Sequence, residues 1–220
     1  MAWSWQYMFE DSDAVECHES CFSTTVGAYQ TVKSPIWFSQ NSYDSFERSK
    51  FSAVNDTAFE QWYFEGVSEA GEAFIVSLGR DPSYRPLGYG VLPLEMMFVF
   101  ANGTRHAKTD FAFESRVRDC CGTVQGQWNT KRGSISWLVS QDLKKAEVEF
   151  HMPTVQGSAK IQSFTPARYA DGISWPSKFA RTQLAPHLNM VEAIPVGNVE
   201  VDLRILGQLF TIYWDWWTLP

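Results

Sequence analysis

The sequence lacks the short motifs that mark the common cofactor-dependent enzymes. It contains no G-x-G-x-x-G segment after a predicted strand, no G-x-x-x-x-G-K-[ST] loop and no G-x-S-x-G elbow. These motifs build the backbone cradles for dinucleotides and nucleoside triphosphates, and the turn that exposes a hydrolase serine. The four histidines are scattered without metal-ligand spacing. The sequence therefore predicts none of these reaction classes, and we expect no bound cofactor.

Positive charge and long apolar runs are also scarce. Eighteen Lys and Arg residues face 25 Asp and Glu residues, which gives a formal net charge of -7. Nucleic acids and anionic membranes bind positively charged surfaces, so we expect neither as a partner. No apolar run approaches the ~20 residues of a membrane-spanning helix, and residues 1–19 lack the basic and apolar regions of a signal peptide. These absences predict a cytoplasmic protein.

Cysteine is rare, with two residues near the N-terminus and an adjacent pair near the middle of the chain. The four are Cys17, Cys21, Cys120 and Cys121. Because two neighbouring cysteines suit tetrahedral zinc poorly, we expect no metal site and interpret the cysteines as reduced thiols. Asn55 and Asn102 each begin a triplet that matches the N-glycosylation pattern, but without a secretory signal the pattern carries little weight.

Aromatic residues are abundant, with 10 Trp and 16 Phe, and short alternating segments dominate the chain from residue 35 onward. Alternation of apolar and polar residues is typical of antiparallel strands that bury one face. The candidate strands span residues 61–67, 73–78, 94–100, 109–116, 123–128, 134–140, 146–151, 158–163 and 199–206. This pattern predicts an all-β fold, an antiparallel lipocalin-like barrel or a strongly curled sandwich. The composition fits either a cup around an apolar ligand or a filled core.

Three regions differ in pattern. Residues 1–34 lack periodicity and are predicted to form an irregular N-terminal arm, residues 35–210 form the β-domain, and residues 211–220 form a Trp-rich tail. Two long links interrupt the strands, at residues 80–90 and 165–195. Long ordered loops often contribute to binding sites, so both links are candidate rim or lid segments.

Residues 59–68, with the sequence FEQWYFEGVS, contain the strongest indication of a site. In a strand, Glu60, Trp62 and Phe64 point to one face, while the intervening side chains point to the other. A carboxylate flanked by aromatic rings is typical of the wall of an apolar pocket. The same pattern also fits an amphipathic strand whose rings pack together and whose acids are solvated. The residue pattern alone leaves both interpretations open.

Four segments together resemble the fungal Diels-Alderase family, the pericyclases that form decalin rings in secondary metabolite biosynthesis. They are FEQWYFEGVS at 59–68, FANGT at 100–104, YADGISWPS at 169–177 and LAPHLNMVEAIPVGNV at 184–199. Their order and spacing resemble the N-terminal domain of that family. The resemblance implies a β-rich, lipocalin-like fold, with two such domains and a substrate pocket where they meet.

The resemblance also implies a cofactor-independent cyclase. Such an enzyme catalyses stereoselective intramolecular [4+2] cycloaddition of a linear polyene polyketide, or a polyketide–amino-acid hybrid, by holding the reacting carbons in near-attack geometry. The implied catalytic residues are Glu60 and Ser77, and the implied substrate-binding residues are Trp62, Phe64, Met97, Met190 and Glu192. We expect Glu60→Ala and Trp62→Ala to change the rate or the stereochemistry while leaving the fold nearly intact.

One departure concerns length. Proteins of the family that resemble this chain continue into a second β-domain, whereas this chain ends soon after the strand predicted at 199–206. The expected partners are therefore a small-molecule polyene and a second β-domain or partner chain that completes the pocket. Two other functions fit the sequence: a noncatalytic, lipocalin-like carrier of an apolar metabolite and an inactive truncated remnant.

Overall fold

The computed structural model describes residues 21–212 and consists almost entirely of antiparallel β-structure. The strands are β1 (Phe22–Gly27), β2 (Glu60–Val67), β3 (Ala73–Arg80), β4 (Pro93–Val99), β5 (Arg105–Phe111), β6 (Glu114–Cys120), β7 (Thr123–Asn129), β8 (Ser134–Val139), β9 (Lys145–His151), β10 (Val155–Ser163), β11 (Arg168–Tyr169), β12 (Gln183–Ala185), β13 (Leu188–Asn189), β14 (Val191–Glu192), β15 (Gly197–Ile205) and β16 (Gln208–Ile212). A short 3-10 helix, Pro82–Leu87, follows β3. Across the described residues, no helix has the length and apolar character needed to cross a membrane.

Two sheets form the body of the domain. Strands β2 to β5 form a four-stranded sheet in chain order, and the eight-stranded sheet has the order β1-β6-β7-β8-β9-β10-β15-β16. Neighbouring strands pair antiparallel in both sheets. Within residues 21–212 each sheet keeps two edge strands, so neither closes into a barrel. The predicted all-β fold is confirmed, in its sandwich form.

Aromatic side chains fill the space between the sheets. The Trp62 ring in β2 lies 5.1 Å from the Trp128 ring in β7 and 5.9 Å from the Trp137 ring in β8, centroid to centroid. Phe98 in β4 packs against Phe150 in β9 at 6.2 Å. Aromatic pairs at these distances contribute about 0.5–1.5 kcal/mol each beyond the area they bury. These rings therefore belong to a filled core.

The chain crosses between the sheets at Ala112 and Phe113, where β5 ends and β6 begins. The Ala112 amide donates to the Leu92 carbonyl beside β4, whereas the Phe113 amide donates to the Asn129 carbonyl in β7. The sequence predicts a single strand at 109–116 because extended, alternating backbone continues through the crossing. The structure instead has two strands, each in a different sheet.

Strands lie at both ends of the described chain. Strand β1 pairs with β6 at the edge of the eight-stranded sheet. The irregular arm predicted for residues 1–34 is therefore wrong for its later part, and residues 1–20 lie outside the described range. Strand β16 pairs with β15 and includes the first two residues of the tail predicted at 211–220. The remainder of that tail lies outside the described residues.

A disulfide joins Cys21, just before β1, to Cys120 at the end of β6. It closes the open end of the β1–β6 pair, where Phe22 stands opposite Asp119. Cys121 is also disulfide-bonded. The interpretation of these cysteines as reduced thiols is therefore wrong. Sequence spacing does not reveal a pairing between residues separated by 99 positions, because connectivity depends on the fold.

The link between β10 and β15 is ordered into two small sheets, one formed by β11 and β14 and the other by β12 and β13. In this link the Tyr169 hydroxyl donates to the Ser42 carbonyl at 2.6 Å. Tyr169 and Trp175 both pack edge-on against Phe46. These contacts fix the link against the loop that precedes β2.

Candidate functional site

A cavity of about 270 Å³ lies between β1, the segment that precedes β2 and the paired ends of β2 and β3. Thr24 contributes a hydroxyl group to its lining, while Phe51 and Val54 contribute apolar surface. Glu60 and Arg80 form its charged part. Polar and apolar residues line the cavity in similar numbers, whereas typical small-molecule sites are mainly apolar with a few polar groups.

Glu60 and Arg80 face each other across β2 and β3. Arg80 Nη1 lies 3.7 Å from Glu60 Oε2, and the two side chains are only 3% and 9% exposed. Ser49 connects them, since its hydroxyl donates to Glu60 Oε2 at 2.8 Å and accepts from Arg80 Nη1 at 3.0 Å. Arg80 also donates to Thr24 Oγ1 and to Ser115 Oγ, at 3.0 Å each. These hydrogen bonds offset part of the cost of burying the two charges.

Burial governs the protonation of this cluster. Desolvation raises the pKa of Glu60, and the charge of Arg80 and hydrogen bonds from Lys50 and Ser49 oppose the rise. Desolvation also lowers the pKa of Arg80 to about 10, against the attraction of Glu60. On the loop before β2, desolvation raises the pKa of Glu47 to about 7, with Lys50 opposing and Glu60 reinforcing the rise. A carboxyl group that titrates near neutral pH therefore lies beside a buried ion pair.

The arrangement is suited to hydrogen bonding with a polar ligand group. An ionised Glu60 accepts hydrogen bonds from an enol or amide, and a protonated Glu60 donates one to a carbonyl oxygen. Such bonds are stronger where water is excluded. Among residues 21–212, no group of three or more His, Cys, Asp and Glu side chains is placed to hold a metal ion.

Trp62 and Phe64 share the face of β2 that carries Glu60, as the alternation predicts, but they belong to the core. They are 4% and 8% exposed, and neither lines the cavity. Trp62 Nε1 donates to the Glu47 carbonyl at 2.8 Å, and Phe64 packs 5.9 Å from Trp137. Because of this burial we now expect Trp62→Ala to destabilise the fold, contrary to the expectation from the sequence. Substrate contact by Trp62 and Phe64 stays a prediction.

Ser77 and Met97 lie on the opposite, outer face of the four-stranded sheet. Tyr63, whose side chain points away from the core, stands directly opposite Ser77 in the register. Gln61 Nε2 donates to Ser77 Oγ, and Met97 is 38% exposed. The structure does not bring Ser77 into the cavity with Glu60. The catalytic role of Ser77 and the binding role of Met97 stay predictions.

Met190 and Glu192 lie in the link between β10 and β15. The Met190 amide donates to the Thr182 carbonyl at 2.8 Å, and the Met190 side chain is 39% exposed. Glu192 is exposed in β14, opposite Arg168 in β11. Neither residue lines the cavity. Of the predicted site residues, Glu60 alone does so, and roles for Met190 and Glu192 stay predictions.

Arg80, the partner of Glu60, is not among the site residues predicted from the sequence. The hairpin register could have predicted this pairing. If Val67 pairs with Ala73 next to the turn, then Glu60, seven residues before Val67, pairs with Arg80, seven residues after Ala73. Opposite charges at facing positions of a hairpin commonly interact. Thr24 comes from a distant segment, and no sequence signal indicated its contact with Arg80.

These features define a class of domain: a two-sheet β-sandwich with a small cavity and a buried ion pair at its edge. Comparison with known proteins then identifies the family. The chain belongs to the Diels-Alderase-like family, whose model matches residues 18–214. The resemblance indicated by the four sequence motifs is confirmed.

Individual relatives agree with this assignment. The chain is 35% identical over 209 residues to the Diels-Alderase ffsF of Aspergillus flavipes, covering 94% of this chain and 51% of that protein. It is 35% identical over 184 residues to the Diels-Alderase phmD of Phaeosphaeria nodorum, covering 83% and 51%. A crystal structure of CghA with Sch210972 has a similar fold, with a TM-score of 0.70 at 22% identity, over 89% of this chain and 52% of that one. The chain thus spans about half the length of the curated relatives it matches.

Proposed function

We propose that the chain functions as part of a Diels-Alderase, an isomerase-type cyclase of secondary metabolism. The reaction is a stereoselective intramolecular [4+2] cycloaddition that converts a linear polyene polyketide, or a polyketide–amino-acid hybrid, into a decalin-type ring. The proposal rests on the family match over residues 18–214, together with relatives named Diels-Alderase at 35% identity. The cycloaddition rearranges bonds within one molecule, so it needs a folded substrate conformation and no redox cofactor.

The cavity beside Glu60 supports a role in holding the polar head group of the substrate. A tetramic-acid type of head group carries enol, amide and carbonyl groups that match the two hydrogen-bonding forms of Glu60. A hydrogen bond to the carbonyl attached to the dienophile stabilises the charge that develops in the transition state. Desolvation raises the pKa of Glu60 and favours the donating form, whereas the charge of Arg80 and the hydrogen bonds from Lys50 and Ser49 favour the accepting form.

The size of the cavity supports a further requirement. At about 270 Å³ it is slightly smaller than the roughly 300–1,000 Å³ of typical small-molecule sites. A long polyene with its head group therefore needs additional protein surface. We propose that a second β-domain or a partner chain supplies it, since the relatives are about twice as long as this chain.

The outer face of the four-stranded sheet is our candidate for the contact with this second domain. Tyr63 and Val67 in β2 are 52% and 67% exposed, and Met97 in β4 is 38% exposed. Large apolar side chains that share one exposed sheet face are typical of interaction surfaces. Contact there would cover Met97, whereas Ser77 is already only 5% exposed and accepts a hydrogen bond from Gln61.

The remaining expectations on partners and location stay proposals. The net charge of -7 supports the expected absence of nucleic-acid and anionic-membrane partners. A cytoplasmic location stays a prediction, and the disulfide between Cys21 and Cys120 argues against it, because disulfides are rare in cytosolic proteins.

The proposal is tested by incubating the purified chain with a linear polyene tetramate. The assay compares the rate and the ratio of product diastereomers with those of the spontaneous reaction. We expect the chain, alone or with the part of a relative that it does not cover, to enrich one diastereomer. We expect Glu60→Gln to lower the enzymatic rate about tenfold to a hundredfold, since a hydrogen bond to developing charge is worth this much or more.

Glu200→Gln provides the matched control, because Glu200 is exposed in β15 of the other sheet and does not line the cavity. It should leave the rate and the diastereomer ratio unchanged. Ligand binding with an unchanged ratio would favour the carrier, and the absence of both effects would favour the remnant.

A further inference from the structure

The disulfide-bonded cysteines bear on where the chain folds. Cys21 and Cys120 are joined, and Cys121 is disulfide-bonded as well. Each disulfide forms when two thiols give up two protons and two electrons to an oxidant, which in the secretory pathway is another protein disulfide. Structural disulfides persist in that compartment and are rare in the cytosol. The fold therefore has the covalent pattern of a protein that matures in an oxidising lumen.

The N-glycosylation triplet at Asn102 lies where a glycosylating enzyme in such a compartment could reach it. Asn102, Gly103 and Thr104 form the turn between β4 and β5, and all three are exposed. The turn is fixed by its backbone, since the Gly103 amide donates to the Phe100 carbonyl at 2.8 Å and the Phe100 amide donates to the Thr104 carbonyl at 2.8 Å. Asn102 Oδ1 accepts from the Thr104 amide at 2.9 Å. No hydrogen bond to a described residue engages Asn102 Nδ2, the atom that would carry a glycan.

We propose that Asn102 is an N-glycosylation site. The Nδ2 atom forms a bond to the anomeric carbon of an oligosaccharide carried on a lipid diphosphate. The bond between that carbon and the phosphate breaks, the lipid diphosphate leaves, and the amide loses one proton. A glycan here projects from a hairpin tip into solvent, because a Cβ atom placed on the neighbouring Gly103 would meet no atom within 4 Å.

The other triplet offers an internal control. Asn55 is partly buried, and its Oδ1 accepts from the Thr57 amide at 3.0 Å, the Ala58 amide at 2.9 Å and the Thr57 hydroxyl at 3.3 Å. At Asn55 the threonine hydroxyl as well as the threonine amide is bonded to the asparagine oxygen, whereas at Asn102 this oxygen accepts from the threonine amide, and Ala58 lines the cavity. We expect Asn55 to remain unmodified although its sequence pattern is equally complete.

The test uses the full chain, tagged at its C-terminus and expressed in a filamentous fungus. The purified protein is treated with peptide:N-glycosidase F and compared with untreated protein by electrophoresis and peptide mass spectrometry. We expect a downward mobility shift, conversion of Asn102 to aspartate, and a Cys21–Cys120 cross-linked peptide under non-reducing conditions. An unmodified Asn102 peptide in the wild-type protein overturns the proposal.

Variants separate the two triplets and guard against folding defects. Asn102→Gln and Thr104→Ala should each abolish the shift, whereas Thr104→Ser, which preserves the acceptor pattern, should retain it. Asn55→Gln should also retain the shift. A shift that survives Asn102→Gln, or is lost only in Asn55→Gln, contradicts the assignment. If Asn102→Gln does not accumulate, the wild-type peptide spectrum decides the question.

Discussion

The inner and outer faces of the four-stranded sheet use the same strands in opposite ways. On the inner face, Trp62 and Phe64 are 4% and 8% exposed and pack against the eight-stranded sheet. On the outer face, Tyr63 and Val67 of the same strand are 52% and 67% exposed. One face is thus a completed core, and the other presents apolar side chains without cover from the described residues.

This difference separates stability from function along a single strand. Side chains that fill the inner face contribute to the fold whether or not a ligand is present, since their partners belong to the same domain. The exposed side chains of the outer face, such as Tyr63 and Val67, have little to contribute to the stability of the folded domain on its own. The paired ends of β2 and β3, with Glu60 and Arg80, lie at the margin of the inner face, where the core opens into the cavity.

The largest test of this comparison replaces neighbouring aromatic residues on the two faces. Trp62→Ala should destabilise the domain by about 4 kcal/mol, because it removes a buried ring between Trp128 and Trp137 and leaves a cavity. Tyr63→Ala should cost less than about 1 kcal/mol, because the exposed ring makes few contacts. Urea denaturation of both variants gives the two values. Similar losses would mean that the two faces do not differ as described.

The inner face could be predicted from the sequence in part. Period-2 alternation placed Glu60, Trp62 and Phe64 on one side of the strand, and this grouping agrees with their burial. Successive side chains of a strand point to opposite faces because of the backbone geometry, so this grouping does not depend on what the strand packs against. It does not tell a pocket wall from a core, because both consist of aromatic side chains directed to one face.

The cavity and the crossing between sheets could not be predicted in the same way. Thr24 and Ser115 meet Arg80 from strands that are distant in sequence, so their contacts depend on the tertiary fold. The strand predicted at 109–116 is divided between two sheets, because hydrogen-bond partners change while the backbone stays extended. Patterns of local alternation are insensitive to both features.

A second test concerns the margin of the inner face and the buried pair found there. Glu60→Leu alone should cost about 3 kcal/mol, because it leaves the Arg80 guanidinium buried without its counter-charge. The double variant Glu60→Leu/Arg80→Met should recover about 2 kcal/mol of this loss, since no unpaired charge remains. The four proteins of the double-mutant cycle are compared by urea denaturation. Additive losses would show that the two charges do not interact.

An exposed pair on the same domain provides the reference for that cycle. Arg85 Nη1 lies 3.0 Å from Asp56 Oδ1, with side chains that are 43% and 63% exposed. The cycle with Asp56→Leu and Arg85→Met should give a coupling below about 1 kcal/mol, despite the shorter distance, because solvent screens it. A larger coupling here than at Glu60 and Arg80 would reverse the expected order.

The smallest of the three effects is the pH dependence of stability that Glu47 causes. Glu47 lies next to the inner face, because its backbone carbonyl accepts a hydrogen bond from Trp62 Nε1. Desolvation raises the pKa of Glu47 from 4.5 to about 7. Between these two pH values the Glu47 carboxyl group is therefore mostly protonated in the folded state and mostly ionised in the unfolded state. The stabilising contribution of the protonated form is complete below pH 4.5 and is lost as the pH rises through about 7. Glu47→Gln should therefore stabilise the domain at pH 8 by about 2 kcal/mol and flatten the decline in the free energy of unfolding between pH 5 and 8. Glu65→Gln on the exposed face should change stability by less than about 0.5 kcal/mol. A decline of equal slope in wild type and Glu47→Gln, measured by denaturation across this range, would assign the pH dependence to another group.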